Sequence, residues 1–457
     1  MLQLFDTAKG AVAPVQLREP GKVSMYVCGP TVYGPPHLGH GRFSLVFDVL
    51  RRYLVWTGLD VTYVSNITDI DDKIIQRAQR EDRDWRDITR RCEAVWYSAM
   101  DALNVRRPDH DPHATAYVEH MVDLIRRLVE RGAAYETSDG VYFLSETVDD
   151  YGLLARQPLD SLKAGARVEG IDEKRSPVDF ALWKKAKPGE PSWPSPWGDG
   201  RPGWHTECVV MALDLLGDDF DLHGGGQDLA FPHHENERAQ AVADGRTFAR
   251  TWVHNGFVEV EGTKMSKSLG NVSNLVDLVE QYDPRAYRLL VLRSHYRSPI
   301  DVTDDSLRDA EAALARLDAF ARRVAATAGL ASQPRDPDVD ALARFRAAMD
   351  DDLQTPAATA LLFDLVRRAN AALDAGDAVA AAPSAAAAGE IAAALGLDLH
   401  SEGDAAEVPS DVLGLAAERD EARAARDWPR ADALRDRITA AGYVIEDTSA
   451  GTVVRPA

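Results

Sequence analysis

The sequence predicts an α/β protein. A parallel, Rossmann-like nucleotide-binding sheet is split by an insertion and followed by an α-helical bundle and a small α+β C-terminal domain. Three observations predict it. Residues 23–64 run strand, Gly-rich turn, helix, strand. Strand-like patterns resume at DDFDLHGGG and TWVHNGFVEVEG. From about 305 onward the apolar positions recur with a helical period.

Element by element, VSMYVC reads as a short buried strand and GPTVYGPPHLGHGR as the turn. FSLVFDVLRRYLVWTG reads as a helix ended by Gly58, and VTYVSNIT as the second strand. Asp69, Asp71 and Asp72 open another helix; an acidic start favoured by the helix dipole explains them as well as magnesium would, and no role is assigned to them. Residues 113–132 read as helix, GAAYETSDGVYFL as a hairpin and 157–203, rich in Pro, Gly and charge, as loop. The expected domains are 1–110 plus 200–250 for the sheet, 111–199 for the insertion and 251–305 for a linker domain. A bundle over 306–400 and a small domain over 401–457 complete the chain. AVAAAPSAAAAGEIAAALG is either the last bundle helix or a looser segment. A charged helix, ARDWPRADALRDRITAAG, and the strands YVIED and GTVVRP close the chain. No internal repeat is visible.

Composition narrows the function classes. With 457 residues, 45% hydrophobic and 27% charged, the chain is an ordinary globular protein of roughly two to four domains. No stretch approaches the ~20 apolar residues of a membrane span, and the N-terminus lacks a signal-peptide pattern, so a cytoplasmic protein is expected. Three cysteines, at 28, 92 and 208, are too few for a disulfide framework and suit metal binding or catalysis better than stapling. A net charge of -21 argues against holding nucleic acid by bulk electrostatics, but leaves room for a local basic surface that reads a folded RNA.

Two segments carry phosphate chemistry. In PTVYGPPHLGH, Gly39 lets backbone approach a nucleotide. His37 and His40, three apart on one face of a helix start, can both donate to phosphate oxygens. The plain alternative is a Pro/Gly loop with two surface histidines. KMSKSLGN, at 264–271, puts Lys264 and Lys267 in a cationic loop suited to the charge of a leaving pyrophosphate; alone, such a loop is more often solvated surface. A third group is metal-like. PHHENE sets His233 and Glu237 four apart on one helix face; two thiolates, an imidazole and a carboxylate would fill a tetrahedral zinc site, but spacing alone does not bring Cys28 and Cys208 together. Equally, the cysteines are small buried hydrophobes and the His–Glu pair a helix contact.

HLGH resembles the first signature of the class I aminoacyl-tRNA synthetases, and KMSKS matches the second. Within that class YVCGPTVYGPPHLGHGR, RPGWHTEC, DLHGGGQDLAFPHHENERAQ and KMSKSLGN look like blocks of the cysteinyl-tRNA synthetase family, and the resemblance covers essentially the whole chain. It implies L-cysteine, ATP with Mg2+ and tRNA(Cys) as substrates, in a monomer with one Zn2+ held by Cys28, Cys208, His233 and Glu237. His37, His40, Lys264 and Lys267 would stabilise charge during adenylate formation. Gly39, His40, Asp228 and Lys267 would contact ATP, with Asp228 accepting from ribose hydroxyls. Trp204, with His205 beside it, and His223 would line the amino-acid pocket; Trp204 as plain core is a close alternative. Cys92 is left as an inert core residue.

Zinc suits a thiol substrate. Packing separates near-isosteric groups such as a thiol and a hydroxyl by only about 1–3 kcal/mol, whereas zinc takes a thiolate and binds an alcohol poorly. The bundle and the helix around Trp428 would bind tRNA, although a solvated helix with internal ion pairs explains that helix too. Two rivals stand beside this reading. One is a cysteine ligase of mycothiol synthesis, which shares the adenylate step but joins cysteine to an aminosugar and needs no anticodon-binding end. The other is a non-catalytic tRNA-binding relative, against which the intact signatures speak.

Overall fold

The computed structural model describes residues 1–158, 161–162, 173–260, 263–264, 274–327, 330, 336–400, 409–448 and 451–456. The chain divides into two compact units, Met1–Leu314 with Arg335–Asp398, and Ala315–Pro334 with Leu399–Ala457.

In the first unit, a hairpin of β1 (Gln3–Asp6) and β2 (Ala11–Pro14) precedes the central sheet. That sheet contains β3 (Lys22–Val27), β4 (Asp60–Val64), β9 (Phe220–Gly226) and β10 (Ala249–Asn255), in the order β10-β9-β3-β4 and parallel throughout. Helix α1 (Leu38–Trp56) connects β3 to β4 on one side, while β9 leads to β10 on the other. The strand order therefore reverses between β3 and β9, and the crevice beyond their carboxyl ends is where α/β sheets bind ligands.

Sequence explains α1 directly. His37 caps its N-terminus, its inner face buries Leu45, Phe47, Leu50 and Tyr53, and Gly58, at φ +92, lets the chain turn away after the C-cap Thr57. The helix packs close to β9 because Gly224 has no side chain: a Cβ there would lie 2.3 Å from Phe47 Cε1.

Between β4 and β9 come α2 (Asp72–Glu81), α3 (Trp85–Ala102), α4 (Val118–Glu130) and an antiparallel sheet of β5 (Ala134–Glu136), β6 (Gly140–Phe143), β7 (Phe180–Lys185) and β8 (Gly200–Pro202). Here the reading of 157–203 as loop needs correction. FALWKK forms a full strand with Leu182 and Trp183 buried, and Pro- and Gly-rich flanks had hidden its alternation. The acidic run is structural. Asp69 accepts from Thr115 N at 2.9 Å, Asp71 caps α2, and Asp72 pairs with Lys184 at 2.7 Å and with Arg201, tying α2 to the inserted sheet. Cys92 is buried with Val32, Ile67, Ala78 and Ile88.

Strands β11 (Val258–Val260), β12 (Thr263–Lys264) and β13 (Ile300–Asp301) form a small sheet. Helices Leu275–Gln281 and Pro284–Leu292 then pack on α1, so closely that a Cβ on Gly41 would meet Tyr287 and Leu275 at 3.0–3.1 Å. Helices Val339–Asp350, Thr355–Asp374 and Ala378–Ala394 follow. The alanine-rich segment is thus a helix, Pro383 included, with Ala381, Ala385, Ala388 and Ile391 buried. In the second unit, helices Ser410–Ala424 and Trp428–Ala440 and the pair β14 (Tyr443–Thr448) and β15 (Gly451–Pro456) enclose a core of Val412, Ala416, Ile438 and Val454. Trp428 is 57% exposed, and Arg435 pairs with Asp432 on its own helix.

A buried ionic joint holds α1 to later elements of the first unit. Asp48 accepts from Arg52 at 2.7 Å, Arg288 at 2.8 Å and the Arg106 N–H at 2.9 Å. Arg288 also donates to the carbonyls of Leu103, Asn104 and Leu395. Asp48→Asn leaves two buried guanidiniums without their counter-charge and should cost about 3–5 kcal/mol, read as a lowered urea midpoint.

Candidate active site

The ends of β3 and β9 deliver the first residues. Cys28 follows β3 and donates its backbone N–H to Gly224 O at 3.2 Å. Cys208 lies on helix Trp204–Leu215, and His233 and Glu237 at the start of helix Glu235–Ala243. All four are buried, and their ligand atoms lie within 4.8 Å of one another. The contacts are 3.7 Å between the two sulfurs, 3.3 Å from Cys28 Sγ to Glu237 Oε1, 3.6 Å from Cys208 Sγ to His233 Nε2, and 3.0 Å from His233 Nε2 to Glu237 Oε1. Bonds of about 2.3 Å to sulfur and 2.0–2.1 Å to nitrogen and oxygen in a tetrahedron put these edges at about 3.3–3.8 Å. These four separations fit a metal ion to within a few tenths of an ångström.

Without an ion, burial works against a proton on His233, while the charge of Glu237 and the hydrogen bond from His233 to Cys208 favour it and lift its pKa to about 10. A second set, Cys28, His223, His234 and Glu237, is also close together. There, however, His223 Nε2 lies 2.7 Å from Glu237 Oε2, a hydrogen bond rather than the spacing of two co-ligands. His223 is wholly buried behind Glu237. Its Nε2 partner there is the Glu237 carboxylate, which it orients. His205 does the same for His233, their Nδ1 atoms 2.9 Å apart. Trp204 is 39% exposed, which excludes its reading as plain core, and its ring stacks on His233 at 4.0 Å.

Along the same sheet edge, His37 and His40 form a reciprocal cap. His40 N donates to His37 Nδ1 at 3.3 Å, and His37 N to His40 Nδ1 at 3.1 Å, with the rings stacked 3.6 Å apart. Burial pushes both pKa values down, that of His40 well below its usual value. With each Nδ1 accepting, each neutral ring keeps its proton on Nε2, as a donor. Gly39 lies in the first turn between them. Asp228 is exposed, and its charge acts on His37 against the effect of burial. The KMSKS segment falls mostly outside the described residues: Lys264 is seen only through its backbone, paired with Glu259, and Lys267 not at all. Where the described chain resumes beyond it, Leu275 N donates to Pro36 O at 2.9 Å, beside the HLGH turn.

Sequence reasoning missed the polar residues behind the cluster. Asn66 accepts from Gly29 N at 2.9 Å and donates to Thr68 Oγ1 at 3.1 Å; Thr68 in turn donates to Glu207 Oε1 at 2.6 Å. Thr7, His254 and His234 form a second chain, with links of 2.7 and 2.8 Å. His254 and His205 face a cavity of about 1160 Å3 that Tyr151, Phe180 and Phe231 also line. Isolated Asn, Thr and His residues carry no spacing signal, so nothing in the chain marked them.

Comparison with known proteins now decides the family. Residues 14–312 match the tRNA synthetases class I (C) catalytic domain, 344–400 the DALR domain, and 405–455 the cysteinyl-tRNA ligase anticodon binding domain. A cysteine–tRNA ligase of Halorhodospira halophila is 46% identical over 460 residues, covering 99% of each chain. One from Geobacter metallireducens is 44% identical over 478 residues, again with 99% of each covered. The chain belongs to the cysteinyl-tRNA synthetase family. Its fold is that of the class I synthetases: a Mycobacterium tuberculosis methionyl-tRNA synthetase in complex with methionyl-adenylate superposes with TM-score 0.61 at 18% identity, over 82% of this chain and 89% of that one. Among the described residues, no helix is long and apolar enough to cross a membrane.

The buried histidines set an acid limit. Burial holds His254 down to about 3. The unfolded chain therefore takes up a proton below about pH 6.5 that the folded chain refuses, and stability falls as pH drops from there toward 3. His254 contributes up to about 1.4 kcal/mol per pH unit to that slope. The unfolding midpoint of His254→Gln should vary less between pH 6.5 and 4 than that of the parent protein.

Proposed function

We propose that this chain is a monomeric, cytoplasmic ligase that activates L-cysteine with Mg-ATP and transfers it to tRNA(Cys). The buried Cys28, Cys208, His233 and Glu237 cluster, on the same sheet edge as the HLGH turn, carries the reading. In this proposal those four residues hold Zn2+. When bound, zinc supplies a soft acceptor for the substrate thiolate, which serine's hydroxyl cannot match.

The remaining roles belong to the chain's own side chains. A carboxylate oxygen of cysteine attacks the α-phosphorus of ATP, forming the acyl-phosphate bond, and pyrophosphate leaves with the electrons of the broken P–O bond. His37 and His40 aim Nε2–H donors at the phosphates, Lys264 and Lys267 meet the pyrophosphate charge, and Gly39 admits the nucleotide to the helix N-terminus. Asp228 accepts from the ribose. Trp204 walls the amino-acid pocket, while His223 and His205 hold Glu237 and His233 in orientation. A terminal ribose hydroxyl of the tRNA then attacks the acyl carbon and AMP departs. No side chain serves as nucleophile, so the work is positioning and electrostatics.

The domain assignment belongs to the same proposal: a catalytic domain of 1–110 with 200–250, an insertion of 111–199, a linker of 251–305, and tRNA-binding parts at 306–400 and 401–457. The matched anticodon binding domain favours tRNA over an aminosugar as acceptor.

Charging of total tRNA with cysteine, in the presence of excess serine, tests the proposal. Cysteinyl-tRNA should form and seryl-tRNA should not; adenylate formation without charging would overturn it in favour of the aminosugar ligase. The purified protein should also carry one zinc per chain by elemental analysis. Cys208→Ser should lose that zinc, and with it more cysteine activation than the roughly 10–100-fold that an outer-shell change removes.

A further inference from the structure

Glu207 differs from the other buried carboxylates of the first unit. Asp48 faces Arg52 and Arg288, Asp244 faces Arg127, and Asp179 takes the N–H groups of Ser145 and Ser176. Glu207 is 3% exposed, and among the described residues its hydrogen-bond partner is a neutral hydroxyl, Thr68 Oγ1, at 2.6 Å. A buried carboxylate without a cation or N–H donor is costly, and a site that keeps one has a use for it.

Its position suggests the use. Trp204, Glu207 and Cys208 stand at i, i+3 and i+4 and share one face of helix Trp204–Leu215. Trp204 covers His233, and Cys208 belongs to the cluster. Thr68, the partner of Glu207, is bonded to Asn66, whose Oδ1 lies 3.7 Å from Cys208 Sγ. Three contacts, through Thr68 and Asn66, therefore link the carboxyl group to the Cys208 thiol of the cluster.

We propose that Glu207 is the ammonium-binding residue of the amino-acid site: Thr68 holds one carboxylate oxygen while the other accepts an N–H from the α-ammonium of the substrate whose sulfur lies at the cluster. This rests on the thiol-site reading given under Proposed function. It also supplies what that site lacks. A soft metal accepts any small thiol, and only two carbons separate cysteine's sulfur from its nitrogen. A carboxylate placed beside the cluster restricts the site to thiols that carry an ammonium, through a charge-assisted hydrogen bond.

3-Mercaptopropionate keeps cysteine's thiol and carboxylate and lacks its ammonium. Calorimetric titration of both ligands into the zinc-loaded full-length protein should show cysteine binding roughly 10- to 100-fold more tightly. E207Q should close that gap by weakening cysteine alone, leaving 3-mercaptopropionate and the zinc content unchanged. In pyrophosphate exchange the KM for cysteine should rise while the KM for ATP holds. E207D, which keeps the charge, should retain part of the gap, and it carries the test if E207Q fails to fold. Equal weakening of both ligands, or an unchanged gap, overturns the role of Glu207 while leaving the thiol site standing. A wild-type protein that binds neither ligand overturns both.

Discussion

The parallel pairing of β3 with β9 is the constraint on which the site depends. It sets Met25 opposite Leu222 and Val27 opposite Gly224, joining segments about 200 residues apart. That registry brings Cys28 to the end of β9, and from there the cluster with Cys208, 180 positions away, can close. Parallel strands cannot be joined by a tight turn. The intervening chain must be long, and here it is long enough to contain a four-stranded sheet of its own. That stretch is thus the connection that a parallel sheet requires, enlarged, and helix Trp204–Leu215 at its end carries Cys208 back to the sheet edge.

Close approach is the second condition. Gly224 lets Phe47 lie against β9, and a Cβ on Gly29 would fall 1.7 Å from the carbonyl of Asn66. With α1 pressed against the sheet, its N-terminus and the His37–His40 cap sit at the edge where Cys28 emerges. Asp48, on the same helix, ties that position to Arg288. The HLGH turn and the Cys28 end of the buried cluster are therefore held by one helix–strand contact rather than by loops.

Much of this was legible in the sequence, for identifiable reasons. The strand, Gly-rich turn and helix at 23–56 are local and periodic, and Gly58 ends α1 as its position suggests. His233 and Glu237 could be paired because helical spacing places i and i+4 together. The two cysteines could not be, because their meeting depends on strand registry, and only the family resemblance joined them beforehand. β7 was missed because its Pro-rich surroundings outweighed six residues of pattern. Asn66, Thr68 and Glu207 were missed because a polar residue's burial follows from tertiary packing. The place of His223 behind Glu237 has the same origin: a histidine before three glycines gives no local sign of burial.

X-ray absorption at the zinc K-edge, on zinc-loaded protein with and without amino acid, tests the central claim most directly. Two sulfurs at about 2.3 Å and two lighter ligands at about 2.0–2.1 Å are predicted for the free protein. Added cysteine should raise the sulfur count to three, and added serine should leave the spectrum unchanged. A shell without two sulfurs, or one that serine alters as cysteine does, would contradict a thiol site built on Cys28 and Cys208.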